Sequence, residues 1–255
     1  MTVSAGIDIG SRTIKLVLLE NGRISRMAVR ETTFDPIAVC RDLLSDVSCS
    51  GITATGYGRR LFARDRSCHL VSEIKAVAEG ARFLAPECRS VLDIGGQDTK
   101  VVSLDAGGKM DKFLMNDRCA AGTGRFLEVM AGALSYTYDQ FAEAAGSAAK
   151  AEKLNSMCAV FAESEVISLV AQGASRESIA LGIHESISTR TLSLMKGLTL
   201  SEPIYFVGGG AKNPCLHRCI EAGLGKRLHV PENPRIVAAL GAALHTAEKE
   251  KQDGC

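Results

Sequence analysis

Residues 6–15, GIDIGSRTIK, set an aspartate at the end of an apolar run and a glycine two positions later. Hydroxyl residues follow, then a lysine inside a β-branched run. Residues 90–104, SVLDIGGQDTKVVSL, repeat the device. These residue types in this order suit phosphate and magnesium. Lacking Cβ, Gly10, Gly95 and Gly96 let backbone N–H groups come close to phosphate oxygens. Ser11 and Thr13 add hydroxyl donors, and Lys15 adds a positive point charge. Asp8 and Asp93 end their strands at the same place in each copy, which suits holding a hydrated Mg²⁺. Gln97 is of the type that orients a water for attack on a γ-phosphate. Either copy alone reads equally well as a strand ending at a turn. Two copies, with a third glycine motif VGGGAKN at 207–213, point to a nucleotide. No GxxxxGK[ST] loop occurs, and no GxGxxG follows the first strand, which disfavours P-loop and Rossmann sites.

Nine cysteines stand at 40, 49, 68, 88, 119, 158, 215, 219 and 255. The odd count and the absence of any CxxC argue against a disulfide framework or a self-contained zinc or ferredoxin-type site. The default role is that of a small buried hydrophobe. Cys119, in NDRCAAGTGRFLEV, and Cys158, in SMCAVFAESE, each introduce a helix candidate. A helix N-terminus lowers a thiol pKa and favours an anionic ligand. A [4Fe–4S] cluster usually takes four thiolates, so one chain offers half a set and a symmetric dimer a whole one. From spacing alone, two unrelated buried cysteines remain an open reading. Cys215 and Cys219, four apart on one helix, suit either burial or a second metal, while Cys68 and His69 read as core.

The elements that position these groups follow from periodicity. Residues 4–19 read as a strand, a tight turn and a second strand. GRISRMAVR and KMDKFLMN give a third strand after each copy. A duplication on this scale implies two related lobes. Between the copies lie helix candidates at 36–47 and 72–84 and a strand at 51–55 ending in TGYGRR. Later helices are expected at about 123–134, 138–147, 159–172 and 175–197, then a strand into VGGGAKN, a C-terminal helix and a frayed tail KQDGC.

The chain of 255 residues is long enough for two lobes. Lys and Arg together number 30 against 29 Asp and Glu, and there is no Trp, so nothing favours nucleic acid or an anionic membrane. No targeting signal opens the sequence and no apolar stretch approaches the roughly 18 residues of a membrane span, so a cytoplasmic location is expected.

The segments NDRCAAGTGRFLEVMA and CAVFAESEVISLVAQG resemble the signatures of the ATP-dependent activators of 2-hydroxyacyl-CoA dehydratases and of the related ATPase subunits of benzoyl-CoA reductases. GIDIGSRTIK, TGYGRR, SVLDIGGQDTKVV, GIHESISTR and VGGGAKN extend the likeness over essentially the whole chain. The resemblance implies a duplicated two-lobe α/β fold of the actin-like (ribonuclease H-like) ATPase class, in the superfamily of actin, heat-shock chaperones and sugar kinases. Residues 1–86 with 236–255 would form the first lobe and 87–235 the second, with nucleotide in the cleft between them. The first phosphate loop would be 6–15, including Arg12, the second 93–100, and the adenosine motif 205–213, with Gly208, Gly209 and Ala211 at the nucleotide. The resemblance further implies a homodimer in which Cys119 and Cys158 of both subunits hold one [4Fe–4S] cluster. ATP/ADP with Mg²⁺ would drive helix motion, and one electron would pass from a ferredoxin or flavodoxin to a client dehydratase or reductase bearing its own iron–sulfur cluster. Oxygen should destroy such an activity.

Two positions depart from the family pattern. Val77 stands where relatives commonly carry a His, and Arg235 where a Gln near the adenine is common; an arginine there would stack on the base. Two other readings use the same glycine motifs: a small-molecule kinase of the superfamily without a cluster, and a non-catalytic nucleotide-dependent scaffold. Iron content separates the first from an activator, and ATP binding without hydrolysis would mark the second.

Overall fold

Strand β1 (Val3–Ile9) is buried from Ser4 to Ile9, a run that only the centre of a sheet covered on both faces can accommodate. In the computed structural model, which describes residues 3–118, 122–154 and 159–253, β1 pairs antiparallel with β2 (Thr13–Glu20) and parallel with β4 (Gly51–Thr55). β3 (Arg23–Glu31) and β5 (His69–Leu70) complete a five-stranded sheet of order β3-β2-β1-β4-β5. On one face, Ile7, Ile9 and Leu16 pack with Cys40 and Leu43 of α1 (Pro36–Leu43) and Phe62 of α2 (Arg59–Asp65). On the other, Val17 and Leu19 pack with Ala239, Leu240 and Ala243 of the C-terminal helix Val237–Asp253.

That helix lies directly on β1 because Gly6 leaves room for it: a Cβ on Gly6 would sit 2.1 Å from the Ala239 carbonyl oxygen. Helix α3 (Glu73–Leu84) crosses it as closely. A Cβ on Gly80 would lie 2.0 Å from Val237 O, and one on Gly241 1.8 Å from Ala76 O. Val77 is wholly buried in α3.

The second sheet repeats the first. Its strands are β6 (Ser90–Ile94), β7 (Thr99–Leu104), β8 (Met110–Asn116), β9 (Ile204–Val207) and β10 (Leu228–His229). Their order, β8-β7-β6-β9-β10, matches the first sheet strand for strand. Helices α4 (Gly124–Ala133), α5 (Tyr138–Ser147), α6 (Ala159–Ala171), α7 (Arg176–Met195) and α8 (Pro214–Leu224) belong to it, and the C-terminal helix is α9. Leu92, Ile94, Phe126, Phe141, Ile183 and Phe206 lie in its core. The chain divides into two compact units, residues 1–91, 104–111 and 231–255, and residues 92–103 and 112–230. Among the described residues no helix is long and apolar enough to cross a membrane.

Some boundaries differ from expectation. Helix α1 ends at Leu43 instead of 47, because the Leu44 amide turns back to the Cys40 and Arg41 carbonyls and closes the helix. The elements α2, β5 and β10 were not expected. Helix α9 continues to Asp253 where a frayed tail from 251 is expected, with Lys249 Nζ donating to Gln252 Oε1. Cys40, Cys88 and Cys215 are buried as expected, whereas Cys49, Cys68 and Cys219 are only partly so, and His69 is exposed on the short β5.

Helix α7 buries several sides at once, and His184, Ser188 and Thr191 are polar residues among the buried ones. His184 is fully buried, 4.7 Å from the Phe141 ring centre. Its Nδ1 donates to the Ala180 carbonyl and its Nε2 accepts from Asn213 Nδ2. Asn213 Oδ1 in turn accepts from the Leu216 amide, capping α8 just after the third glycine motif. Burial pushes the His184 imidazole from its ordinary 6.5 down to about 4. Between those values the unfolded chain binds the proton that the folded chain refuses, so stability falls as pH drops below 6.5 and the loss is complete near 4. The expected loss is about 3 kcal/mol across that window. Thermal unfolding followed from pH 7 to 4 should show it, and His184→Gln, which keeps a donor and an acceptor without titrating, should flatten that slope.

Candidate functional site

The β1–β2 turn closes tightly. The Gly10 amide donates to Thr13 O at 3.2 Å, and Thr32 Oγ1 donates to Gly10 O at 2.8 Å. The pairing register sets Asp8 opposite Lys15, and Lys15 Nζ meets Asp8 Oδ2 at 2.8 Å. The other oxygen, Asp8 Oδ1, is buried without a hydrogen-bond partner. Beside it runs the turn after β4. Gly56 has φ +83°, and a Cβ there would stand 2.4 Å from Asp8 Oδ1 and 2.6 Å from Ile9 O. The Gly58 amide donates to Ile9 O at 2.9 Å. Arg59, the first residue of α2, donates from Nη1 to Gly56 O.

The second unit builds the same device from the repeated sequence. The Gly95 amide donates to Asp98 O at 2.9 Å. Gly208 has φ +83°, and a Cβ there would lie 2.2 Å from Asp93 Oδ1 and 2.5 Å from Ile94 O. Gly210 packs on Ile94 as Gly58 packs on Ile9. TGYGRR is therefore the structural counterpart of VGGGAKN, an equivalence sequence reasoning missed; the shared signal is a G-x-G after a strand with a basic residue following. Two further residues were missed. Lys100, only 1% exposed, lies 3.6 Å from Asp93 Oδ2 and 2.7 Å from Asp98 Oδ1. The equal spacing from Asp8 to Lys15 and from Asp93 to Lys100 carries the signal for Lys100. Asp98 has no counterpart in the first copy, where Thr13 stands.

Each unit thus gathers part of the expected set: Asp8, Gly10 and Lys15 in one, Asp93, Gly95, Gly96 and Gly208 in the other. Ser11 and Thr13 are half-buried and Arg12 is exposed at the first turn; Gln97 is exposed at the tip of the second. Ala211 is buried in the 3-10 turn Gly210–Lys212, and Arg235 is half-exposed in the 3-10 turn Pro234–Ile236. The residues fit a magnesium nucleotide on two grounds. A buried carboxylate oxygen without a partner is the donor that a hydrated Mg²⁺ takes. The glycine turns leave open backbone where any side chain would intrude on the carboxylates.

The cluster candidates Cys119 and Cys158 lie outside the described residues. The helix that follows Cys119 is described, and its start is not free. The Gly124 amide donates to Gly95 O at 2.9 Å, and the Arg125 amide to Gly96 O at 3.0 Å. Thr99 Oγ1 donates to Gly122 O at 2.7 Å. Two amides of the opening turn of α4 are therefore taken by the second glycine turn, which abuts the helix because Gly124 brings its backbone against Gly95. Of the other thiols, Cys40 and Cys88 are pushed up to about 12 by burial and stay protonated. Cys215 and Cys219 hydrogen-bond to one another, which draws Cys215 down and Cys219 up. Among the described residues they gather no third ligand.

The family model described as BadF/BadG/BcrA/BcrD ATPase matches residues 5–246. The activator of lactoyl-CoA dehydratase from Anaerotignum propionicum is 41% identical over 253 residues, covering 95% of this chain and 96% of that one. The 2-hydroxyisocaproyl-CoA dehydratase activator of Clostridioides difficile is 38% identical over 259 residues, covering 97% and 96%. The solved structure of that activator, with bound ADPNP, superposes with a TM-score of 0.91 at 36% identity, covering 100% of this chain and 98% of that one. Component A of the Acidaminococcus fermentans (R)-2-hydroxyglutaryl-CoA dehydratase gives 0.92 at 34% identity, covering 98% and 100%. The fold is that of the actin-like ATPases.

Neighbouring glycines separate fold from ligand. Gly208→Ala forces a side chain into the left-handed region and against Asp93, and is expected to lower both Tm and ATP affinity. Gly209 has φ −66° and open space around a Cβ, so Gly209→Ala should leave Tm unchanged. Calorimetric titration should nonetheless show ATP binding weakened by about tenfold, or 1.4 kcal/mol. Unchanged ATP binding in Gly209→Ala would remove Gly209 from the nucleotide contacts.

Proposed function

The chain belongs to the BadF/BadG/BcrA/BcrD ATPase family, and from that premise we propose that it is a homodimeric iron–sulfur ATPase that couples ATP hydrolysis to one-electron transfer at low potential. The client is a 2-hydroxyacyl-CoA dehydratase or a related double-cluster reductase bearing its own iron–sulfur cluster, and a ferredoxin or flavodoxin is the electron donor. The names of its relatives, activators of lactoyl-CoA and 2-hydroxyisocaproyl-CoA dehydratases, support the client class. A cytoplasmic location accords with it.

In this reading Asp8 and Asp93 bear the magnesium-nucleotide, with Gln97 on the attacking water. Gly10, Ser11, Arg12, Thr13, Lys15, Gly95 and Gly96 take the phosphates, and Gly208, Gly209, Ala211 and Arg235 the nucleoside. Cys119 and Cys158 from each of two subunits complete a four-thiolate donor set. A [4Fe–4S] group held there supplies a one-electron carrier whose potential depends on its surroundings.

The observation that carries the reading is the pair of backbone hydrogen bonds from Gly124 to Gly95 and from Arg125 to Gly96. Through them, a shift of the second glycine turn moves the start of α4, the helix that follows Cys119. Its counterpart after Cys158, α6, supports the dimer. Phe161, Ile167 and Val170 are 67%, 61% and 47% exposed on that helix, an apolar set that a second copy of the chain would cover.

The test is iron and acid-labile sulfide on protein purified without oxygen, beside Cys119→Ser and Cys158→Ser. About four irons per dimer are expected, lost in either variant while ATP binding persists. An iron-free protein that hydrolyses ATP and phosphorylates a small molecule would overturn the reading in favour of a kinase. Ile167→Glu should separately yield monomers in size-exclusion chromatography and lose iron with them.

A further inference from the structure

One group of metal-ligating side chains lies outside everything assigned above. Glu79 on α3 and His245 and Glu248 on α9 bring one ligand atom each to within 4.8 Å of one another. Two of the three residues carry an atom with no explanation in the protein alone. Glu79 Oε2 and His245 Nδ1 are both buried without a hydrogen-bond partner. A polar atom withdrawn from water and left unpaired is destabilising, so each of these two residues calls for a partner that the protein itself does not supply.

The scaffold beneath them is rigid. Glu79 precedes Gly80, and His245 lies one helical turn beyond Gly241; these are the two glycines at which α3 and α9 touch backbone to backbone. The separation of the two helices at this point therefore cannot drift, and the donors are presented from fixed axes. His245 and Glu248, at i and i+3, project from one side of α9, the spacing by which helices present a histidine and a carboxylate to one ion.

We propose that Glu79, His245 and Glu248 form a divalent transition-metal site, taking Zn²⁺ with water in the remaining position, that staples α3 to α9. The donor set of one imidazole and two carboxylates suits zinc. Bonds of about 2.0–2.2 Å place tetrahedral donors roughly 3.4 Å apart, so the side chains must close in from their present spacing. Glu248 is exposed and free to do so.

A cation already stands nearby. Lys75 Nζ is 3.4 Å from Glu79 Oε1, on the carboxylate's other oxygen, and its side chain is 47% exposed. Lys249 and His69 also face His245. Lys75 is thus a competitor for the site, and it is exposed enough to swing into water when the ion binds.

The full-length protein, prepared without oxygen and with its cysteines reduced, is titrated with Zn²⁺ and separately with Co²⁺ as a spectroscopic probe. One ion per chain is expected at this site, with Co²⁺ visible bands lacking the intense near-ultraviolet absorption of a thiolate ligand. Tm should rise with Zn²⁺. His245→Gln and Glu248→Gln should each weaken this ion by at least about tenfold, and the second is an exposed position that should not disturb folding. Lys75→Ala should tighten binding severalfold. Equal zinc affinity and equal Tm rise in wild type and Glu248→Gln, a thiolate signature for all bound Co²⁺, or weaker binding in Lys75→Ala would each overturn the site. None of these outcomes bears on the iron–sulfur reading, whose residues are different.

Discussion

Withdrawing a carboxylate from water costs on the order of several kcal/mol unless charge or donors replace the solvent, and each of the two sheets keeps one at the end of its central strand. Asp8 is 3% exposed and Asp93 5%. Much of the local structure answers to that burden. The hairpin register brings Lys15 across to Asp8, and Lys100 returns towards Asp93 in the same way. The neighbouring strand on the other side must then end in a glycine of positive φ, because Gly56 and Gly208 pass against the carboxylate and the next carbonyl where no Cβ fits. The compensation is incomplete at Asp8 Oδ1, and incompleteness in a buried acid marks a place built for a cation.

The second turn carries an additional load. Its carbonyls at Gly95 and Gly96 are acceptors for the opening amides of α4. Backbone hydrogen bonds contribute about 0.5–1.5 kcal/mol net each, so two of them match the roughly 1–3 kcal/mol of a typical coupling between sites. No larger device is required for a ligand at the turn to bias the helix. The two units differ in this respect: in the first hairpin the Gly10 carbonyl is taken by the hydroxyl of Thr32, just past β3.

The duplication, the two hairpins and the long helices were legible because each rests on local pattern, whether an Asp-Ile-Gly strand end, a β-branched lysine or a 3.6 period. What escaped depends on contacts distant in sequence. Helix α2 and the two-residue strands β5 and β10 are too short to show a period. β7 is buried at all six positions although it contains Thr, Lys and Ser, since Lys100 is neutralised by Asp98 and Asp93 inside the unit. The kinship of TGYGRR and VGGGAKN shows only once β4 and β9 are seen in equivalent places. Likewise the partners of the opening amides of α4, Gly95 and Gly96, lie far back in the chain and show only in the fold.

Gly6 lets α9 close against β1, an element far from it in the sequence. The face of the first sheet that holds Val17 and Leu19 is covered by Ala239, Leu240 and Ala243, whereas the opposite face is covered by α1 and α2, which follow within a few dozen residues. On the ribosome, therefore, one side of this sheet closes early and the other stays bare while the whole second unit is synthesised. The nascent chain carries an apolar, chaperone-accessible surface throughout that interval, and the first unit to begin is the last to be completed.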